Sequence, residues 1–378
     1  MIYYKKKVLL YLASNSPFYT NLYPSIKRGF EEAGCLVEGG HYLLGSKELI
    51  KKIETFQPDF VFEMNRVKKE IENFPSDMIH ICWVVDFWGR THQEFQGSDI
   101  LYTWAKDWVK QFKKADMTNV DYLAPATDKT IYKPLYKGKK ESDFVFLGHI
   151  SKKWTSSELT RVVGKMKNKD VYFDDLLPLI NKFVLSRDHD CSFLDSLALN
   201  GIYLTKPINK TLLYDISSRS FRQARREFYL DMYLKLDKTI SIYGSENWKS
   251  YKRFKNFYKG YIENPKELNL AMQRANILLH DGNYPHFRTF DAMASGTIVA
   301  AAKAHSEYDD PWEILDFKAN EDYISVDIYN GSVSLEVLNN KKMLEEIAQN
   351  AKKKVLAKHL WVHRALKVIE DVEKLKKE

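Results

Sequence analysis

Residues 280–297 read HDGNYPHFRTFDAMASGT and place polar side chains directly after a short apolar run. The order apolar run, loop, periodic segment and second apolar run predicts strand, loop, helix and strand. Arg288 and Asp291 are three residues apart, which puts them on one face near the start of that helix. A helix start attracts anions, a guanidinium matches phosphate oxygens, and a carboxylate one turn further could hold a ribose diol. The two residues could also form only an ordinary surface ion pair.

A second polar group follows another apolar run, in the stretch DFVFLGHISKKW. Gly148 permits a tight turn there, and His149, Ser151 and Lys152 could meet a diphosphate or stabilise a departing phosphate. Taken alone, the stretch could equally be a generic glycine turn.

Arginines are spaced along one helical stripe in SSRSFRQARREF. Arg219, Arg222 and Arg226 lie at positions i, i+3 and i+7, and Arg225 stands beside them. Such a stripe is often a solvated basic face, but its place before the strand TISIYG also suits contact with a phosphate or an acidic acceptor. We expect Arg225 or Arg226 to reach the site.

The composition indicates a folded protein of two domains. The chain has 378 residues, of which 44% are hydrophobic and 14% aromatic, and no apolar run approaches the length of a membrane span. The start MIYYKKKVLLYLA predicts a first strand rather than a signal peptide, because its apolar run is short and no cleavage site follows. The net charge of +8 fits either a lysine-rich surface or attraction to an anion such as a nucleotide or nucleic acid. Three separated cysteines suit a reducing cytoplasm.

Alternating strand and helix patterns predict an α/β fold with two parallel sheets. A charged stretch at about 130–142 contains Pro and Gly and is the predicted linker. We therefore expect a Rossmann-like domain over 1–135 and a second over 142–355, with a helical insertion at about 155–237. Residues 356–378 are expected to form a final helix. A cleft between two such domains is the natural ligand site.

Several segments, in the right order, resemble the GT-B glycosyltransferases. RTFDAMASG resembles their donor-site pattern, with Asp291 where glutamate is usual. Other segments resemble the spore-maturation CgeB-like branch in particular: FVFLGHISKKW, ICWVVDFWGR, the stretch RREFYLDMYLKLDKTISIYGSENW and the helix HLWVHRALKVI. The linker approach YLAPATDKTIYKP also fits, with Tyr132 in place of phenylalanine.

The resemblance implies a glycosyltransferase that takes a nucleotide-sugar, foremost a UDP-sugar, on the second domain and an acceptor on the first. It also implies that the last helix crosses back to the first domain and that neither a metal nor a cofactor is needed. Side chains in the loop before Arg288 would approach the diphosphate. The implied acceptor is a polysaccharide, glycolipid or protein, and the implied location is cytoplasmic, with contact to the inner face of the membrane left open. The donor-site residues assigned in this way are Gly148, Ser151, Lys152, Arg226, Tyr243, Gly244, His286, Arg288 and Asp291.

The candidate catalytic residues are Asp86, His149 and Arg288. Asp86 ends the strand CWVVD at the cleft edge of the first sheet, where an aspartate can act as general base towards an acceptor hydroxyl. If the sugar configuration is retained, Asp86 would only orient the acceptor. An aspartate at this position could also merely cap a helix, and His92 is a weaker rival for the role of base.

Two other functions and one other site remain open. The basic charge is compatible with a DNA-modifying glycosyltransferase that acts on a flipped base, and the fold with a non-catalytic sugar-nucleotide-binding protein. Asp188, His189 and Asp190 resemble the Asp-x-Asp metal motif of the other glycosyltransferase fold, but the flanking patterns predict helix and loop, which favours chance occurrence.

Overall fold

The computed structural model describes residues 5–87, 89–185, 193–303, 310–329 and 335–377. Its strands are β1 Lys7–Tyr11, β2 Leu36–Gly40, β3 Phe60–Met64, β4 His80–Val84, β5 Ile100–Thr103, β6 Val120–Tyr122, β7 Ser142–Leu147, β8 Val162–Met166, β9 Lys169–Tyr172, β10 Tyr203–Leu204, β11 Ile240–Tyr243, β12 Tyr258–Gly260, β13 Ala275–His280, β14 Ile298–Ala302 and β15 Ile324–Val326. Its helices are α1 Pro17–Glu32, α2 Ser46–Phe56, α3 Lys106–Lys114, α4 Ser156–Leu159, α5 Phe173–Val184, α6 Phe193–Leu199, α7 Lys210–Tyr214, α8 Phe221–Leu234, α9 Pro265–Gln273, α10 Phe287–Ala294, α11 Leu335–Asn339, α12 Lys341–Lys358 and α13 Trp361–Leu375.

The first sheet contains six parallel strands in the order β2-β1-β3-β4-β5-β6. Strands β3 and β4 are buried along their whole length, as expected for parallel strands that are covered on both faces. Asn65 and Asp86 follow these two strands closely and therefore lie at the carboxyl edge of the sheet.

The second sheet also contains six parallel strands, in the order β12-β11-β7-β13-β14-β15. Gly148, Gly244 and Asp281 directly follow β7, β11 and β13, so the loops that carry them meet at one edge. The predicted α/β fold with two parallel sheets is confirmed.

The segment 155–237, expected to be helical, contains helices and also a small antiparallel sheet in the order β10-β8-β9. Strands β8 and β9 are joined by Lys167 and Asn168, which both have positive φ values, 46° and 65°. Positive φ at both positions is typical of the type I′ turn in tight hairpins. The strands escaped prediction because Lys-Asn lacks the glycine that usually marks this turn.

The tail breaks into two helices near His359, and the second of them, α13, crosses to the first domain. Helix α13 packs against α1, and Trp361 lies in the core of the first sheet. A Cβ atom on Gly29 of α1 would lie 2.5 Å from the Cβ atom of Trp361, so only glycine allows the two helices to approach this closely. The crossing helix implied by the family resemblance is therefore present.

Aromatic contacts also join the domains. Phe287, at the start of α10, lies in the hydrophobic core of the first domain, and its ring centroid is 6.0 Å from that of Trp83 and 6.1 Å from that of Trp361. The hydroxyl of Tyr284 donates a hydrogen bond to Asp107 at the start of α3. These contacts fix the start of α10 against both domains.

The structure also bears on membrane-spanning helices and on the state of the cysteines. Among the described residues, no helix has the length and apolar character needed to cross a bilayer. Cys35 and Cys82 are buried free thiols, and burial raises the pKa of the Cys35 thiol to about 11. Cys191 lies outside the described residues.

Candidate active site at the domain cleft

A cavity of about 330 Å³ lies between the carboxyl edges of the two sheets and is lined by both domains. Helix α1 and Trp361 form one wall, and the loops after β7, β11 and β12 together with the start of α10 form the other. The sequence-predicted residues that line it are Gly148, His149, Tyr243, Gly244, His286, Arg288 and Asp291. The predicted residues outside this lining are Asp86, Ser151, Lys152 and Arg226.

Two glycine turns meet in one wall of the cavity. The Gly148 N–H donates to the Tyr243 carbonyl at 2.9 Å, and the Gly244 N–H donates to the Gly260 carbonyl at 3.0 Å. Gly244 has a φ of 157°, and a Cβ atom there would lie 2.1 Å from the carbonyl oxygen of Gly148. The two loops can therefore pack together only with glycine at 244, and their backbone stays close to the cavity.

His286 is the N-cap of α10, and its Nδ1 accepts from the Arg288 backbone N–H at 3.5 Å. Burial and the charge of Arg288 hold the pKa of His286 well below its usual range. The imidazole is therefore neutral near pH 7. Because Nδ1 accepts, the proton lies on Nε2, which makes that nitrogen a neutral donor.

Arg288 and Asp291 both line the cavity, but each has its own partner. The Arg288 guanidinium donates to the Leu147 carbonyl at 2.6 Å, and the Asp291 Oδ1 accepts from the Thr127 hydroxyl at 2.6 Å. Although both residues are fully described, no ion pair is found between them, so the interpretation as a surface ion pair is wrong. Burial raises the pKa of Asp291, while the Thr127 hydroxyl and Arg288 oppose that rise.

Four arginines, which we call the arginine cluster, act on two histidines at this edge of the sheet: the charges of Arg222, Arg226 and Arg288 act on His149, and those of Arg225 and Arg288 act on His280. Burial, followed by the charges of Arg288, Arg226 and Arg222, lowers the pKa of His149. The imidazole is therefore neutral at pH 7, although its side chain is exposed to the cleft.

Asp281 is the carboxylate partner of the cluster. Arg226 Nε donates to it at 3.1 Å. Burial would raise the pKa of Asp281, but the charges of Arg226, His280 and Arg225 bring it down to about 2. Asp281 is therefore ionised at every physiological pH and neutralises one of the guanidinium charges.

Two arginines of the cluster retain unused donors. Arg222 is exposed and makes no hydrogen bond or ion pair with any residue in the described parts of the chain. Arg225 Nε is buried and has no hydrogen-bond partner. These two side chains therefore keep donors that no described residue uses, although Arg288 is the one member of the cluster that lines the cavity described above.

Arg219, from the same predicted stripe, has a structural role. It donates to Glu158 at 2.6 Å and to the carbonyl oxygens of Lys152 and Lys153, and it stacks 3.7 Å from the ring centroid of Trp154. The loop after β7 is thus held through its backbone, and the Ser151 carbonyl accepts from the Tyr251 hydroxyl at 2.8 Å. The side chains of Ser151 and Lys152 stand beside the cavity, not in its wall.

Asp86 lies across the cleft from the arginine cluster. The side-chain oxygen of Asn65 accepts from the backbone N–H groups of Val85 and Asp86, at 2.7 and 3.2 Å, and so fixes the end of β4. Partial desolvation raises the pKa of Asp86, and the charge of Arg222 opposes the rise. Asp86 of the first domain and Arg222 of the second are therefore close enough for their charges to interact.

His92, the weaker candidate base, has other contacts. Its ring packs 4.9 Å from those of Phe87 and Phe112, and Nε2 is 3.1 Å from the side-chain oxygen of Gln111. It does not line the cavity.

Sequence reasoning missed several cavity residues. Tyr132 comes from the predicted linker, Ala126 from the segment just before it, and Asn21 and Ser25 from α1. The segment after β6 could have been suspected, because it also leaves the carboxyl edge of the first sheet. For α1 no signal in the sequence distinguishes the helix face that meets the second domain.

No group of three or more metal-ligating side chains is found among the described residues. The motif Asp188-His189-Asp190 lies outside them.

Comparison with known proteins agrees with the fold of two parallel-sheet domains. Residues 220–370 match the model of a family described as "Glycosyl transferase-like". The chain is similar to a sucrose-phosphate synthase from Thermosynechococcus elongatus, with 9% identity over 99% of this chain and 100% of that one and a TM-score of 0.60. It is also similar to a glycosyltransferase from Rickettsia africae ESF-5, with 10% identity over 100% of both chains and a TM-score of 0.58. This chain has the GT-B fold.

A third GT-B structure is an alpha-glucosyltransferase in complex with UDP-glucose and DNA containing an abasic site. It shares 10% identity over 97% of this chain and 99% of that one, with a TM-score of 0.54. At this identity the likeness concerns the fold alone, so the DNA-modifying alternative gains no support from it. No curated protein matches the chain. The assignment to the CgeB-like branch stays a prediction.

Proposed function

We propose that the protein is a glycosyltransferase that transfers a sugar from a nucleotide-diphosphate sugar, foremost a UDP-sugar, to a hydroxyl group of a polysaccharide, glycolipid or protein. The observation that carries this proposal is the charge of the cleft. The four guanidinium groups of the arginine cluster outnumber the carboxylates whose charges act on them, Asp86, Asp281 and Asp291, so the cluster keeps a net positive charge. The diphosphate of a nucleotide-sugar is an anion that guanidinium groups bind through charge-assisted hydrogen bonds.

The histidines of the site are neutral near pH 7 and therefore add no charge to the arginine cluster. Burial is the first cause that lowers the pKa values of His149, His280 and His286, and nearby arginines lower them further. The positive charge at the site therefore comes from arginine and does not change around neutral pH. Fixed guanidinium groups suit a leaving nucleoside diphosphate, because they stabilise the negative charge that builds up on it in the transition state.

The remaining polar groups fit separate parts of the substrates. Asp291 lines the cavity and would meet a ribose there, and the glycine turns at 148 and 244 would let backbone approach the diphosphate. Asp86 belongs to the other domain, and its raised pKa suits a general base or an acceptor-orienting group. We propose that the arginine cluster and the start of α10 take the place of a metal ion.

Thermal stability in the presence of nucleotides tests the donor site. The purified protein would be heated with a panel of nucleoside diphosphates and nucleotide-sugars, with UDP-sugars expected to give the largest shift. A ligand at about 100 times its dissociation constant adds about 2.7 kcal/mol to the free energy of unfolding. Arg288→Gln and Asp291→Asn should each reduce the shift, because the first removes a positive charge from the cavity and the second replaces an acceptor oxygen of Asp291 with an NH₂ donor.

The matched control is Arg253→Gln. Arg253 is 61% exposed, pairs with Asp231 and lies outside the cavity lining, so its loss removes an arginine from the same domain and leaves the site intact. The control should respond to nucleotide as the wild type does. A wild-type protein that no nucleotide stabilises, or equal shifts in all three variants, would contradict the assignment of the donor site.

A further inference from the structure

The small antiparallel sheet β10-β8-β9 has one face packed on a core and one face turned to solvent. Val171, in the middle of β9, is buried in a hydrophobic core that the insertion builds with its own helices. Its neighbours Asp170 and Tyr172 point to the opposite face, because side chains alternate along a strand. Residues that pair across neighbouring strands lie on the same face, so Lys165 and Val162, the partners of Asp170 and Tyr172, lie on that face too.

Strand β10 extends this face on the other side of β8. Tyr203 pairs with Lys165, which makes a row of three side chains across the three strands. We call the surface formed by Val162, Lys165, Asp170, Tyr172 and Tyr203 the outer face. Val162 is 50% exposed, Tyr172 44% and Tyr203 67%. The outer face therefore shows its apolar side chains to solvent.

The surrounding surface of the insertion is also rich in exposed apolar groups. Of the twelve large hydrophobic side chains that are exposed in the described parts of the chain, six lie between positions 162 and 214, so they are concentrated in the insertion. Leu199, in the segment that leads to β10, is 81% exposed. Single exposed apolar residues are ordinary, but a group of them on one small unit indicates a contact surface.

Lysines accompany these apolar groups. Residues 162–172 and 203–210, which contain the three strands and the turn between β8 and β9, carry five lysines and one aspartate. The lysines are all exposed: Lys165, Lys167, Lys169, Lys206 and Lys210. The partner that this surface fits is therefore anionic and has an apolar part.

An anionic membrane meets both requirements. Lysines bind the phosphate headgroups, tyrosine rings sit at the boundary between headgroups and acyl chains, and aliphatic side chains reach the apolar layer. A nucleic acid would use the lysines and tyrosines, but exposed aliphatic groups such as Val162 and Leu199 would gain nothing from it.

We propose that the outer face and its neighbouring lysines dock the protein on a membrane that contains anionic phospholipids. The insertion leaves the second domain directly after the loop of Gly148 and returns through α8, which carries Arg226. Docking through the insertion would therefore hold the cleft close to the lipid surface. The proposal goes beyond the proposed function, because the outer face lies outside the cavity lining and needs no nucleotide.

Vesicle sedimentation with the full chain tests this proposal. The vesicles contain either phosphatidylcholine alone or an equal mixture of phosphatidylcholine and phosphatidylglycerol. The wild type should bind the mixed vesicles at least about tenfold more tightly, and Lys165→Gln combined with Lys169→Gln should weaken that binding by about thirtyfold. Tyr203→Ser should also weaken it, because it removes an exposed ring from the outer face.

Two controls match these variants. Lys341→Gln combined with Lys342→Gln makes the same change of charge at the start of α12, where the two side chains are 91% and 87% exposed. Tyr42→Ser removes a tyrosine of the first domain that is 44% exposed. Both controls should bind the mixed vesicles as the wild type does, and every variant should keep the wild-type melting temperature and its increase on adding nucleotide.

Three results would overturn the proposal. The first is a wild type that ignores the mixed vesicles or binds both kinds equally. The second is equal loss of binding in the outer-face variants and in their controls, which would mean that no particular face is used. The third is binding to a single-stranded oligonucleotide in place of vesicles, weakened by the same lysine changes, which would assign the outer face to nucleic acid. Each of these leaves the nucleotide-induced stabilisation, and with it the proposed function, intact.

Discussion

Replacing Asp281 by asparagine tests whether the arginine cluster is balanced by a buried carboxylate. Asp281 has a side chain that is 17% exposed and accepts from Arg226 Nε at 3.1 Å. The substitution keeps the shape and an acceptor oxygen and removes the charge. We therefore expect the fold to persist with a lower free energy of unfolding.

The magnitude follows from the pKa of the carboxyl group. The pKa falls from an ordinary 3.8 to about 2 in the folded protein, which corresponds to about 2 kcal/mol of stability at pH 7. Because the folded-state value is the lower one, this stabilisation is present above pH 3.8 and is lost as the pH falls towards 2. At pH 3 roughly half of it should remain.

Urea unfolding at pH 7 and at pH 3 would measure the difference between the wild type and Asp281→Asn. Asp170→Asn, which removes an exposed carboxylate from the small antiparallel sheet, is the control and should change stability little. Nucleotide binding gives a second readout. Since the variant makes the cluster more positive by one unit of charge, it should bind a nucleoside diphosphate at least as tightly as the wild type does.

Stability and affinity should therefore change in opposite directions. Equal free energies of unfolding for wild type and variant at pH 7 would refute the electrostatic account of Asp281. A variant that is stable yet no longer binds nucleotide would show that Asp281 orients Arg226 and does not merely neutralise it.

Two further predictions concern close backbone contacts. Gly244→Ala would place a Cβ atom 2.1 Å from the Gly148 carbonyl oxygen, so both the melting temperature and its increase on adding nucleotide should fall. The control Gly40→Ala, whose Cβ atom would have its nearest contact at 3.9 Å, should preserve both quantities. A normal nucleotide-induced increase in Gly244→Ala would contradict the role of these turns. Gly29→Ala would place a Cβ atom 2.5 Å from the Trp361 Cβ, so the docking of α13 should weaken and cost about 1–3 kcal/mol, measured by urea unfolding. An unchanged or higher free energy of unfolding in Gly29→Ala would show that α1 and α13 can move apart without loss of stability.

The sequence predicted the parts of the fold that follow local rules. Continuous apolar runs such as HICWV became buried parallel strands, and the loops after β7, β11 and β13 meet because parallel strands end at one edge. The pattern around Arg288 and Asp291 placed both residues in the cavity lining. The hydrogen-bond partners of these two side chains, the Leu147 carbonyl and the Thr127 hydroxyl, were not predictable, since they depend on how distant segments pack.

Two departures from the family pattern turn out to be neighbours. Asp291 stands where glutamate is usual and Tyr132 stands where phenylalanine is usual, and both line one cavity. Each change looked isolated in the sequence, because 159 positions of chain, from 132 to 291, separate them. Only the path of the interdomain segment across the end of α10 brings them together.

The most direct test of the account is whether the protein consumes a nucleotide-sugar. The wild type would be incubated with a panel of nucleotide-sugars, alone and with a mixture of polysaccharide and glycolipid acceptors, and released nucleoside diphosphate would be quantified by mass spectrometry. We predict release from one nucleotide-sugar, faster with acceptor, lost in Arg288→Gln and retained in Arg253→Gln. A folded protein that binds a nucleotide-sugar but leaves it intact with every acceptor would contradict the proposed transfer and indicate a binding protein on the same fold.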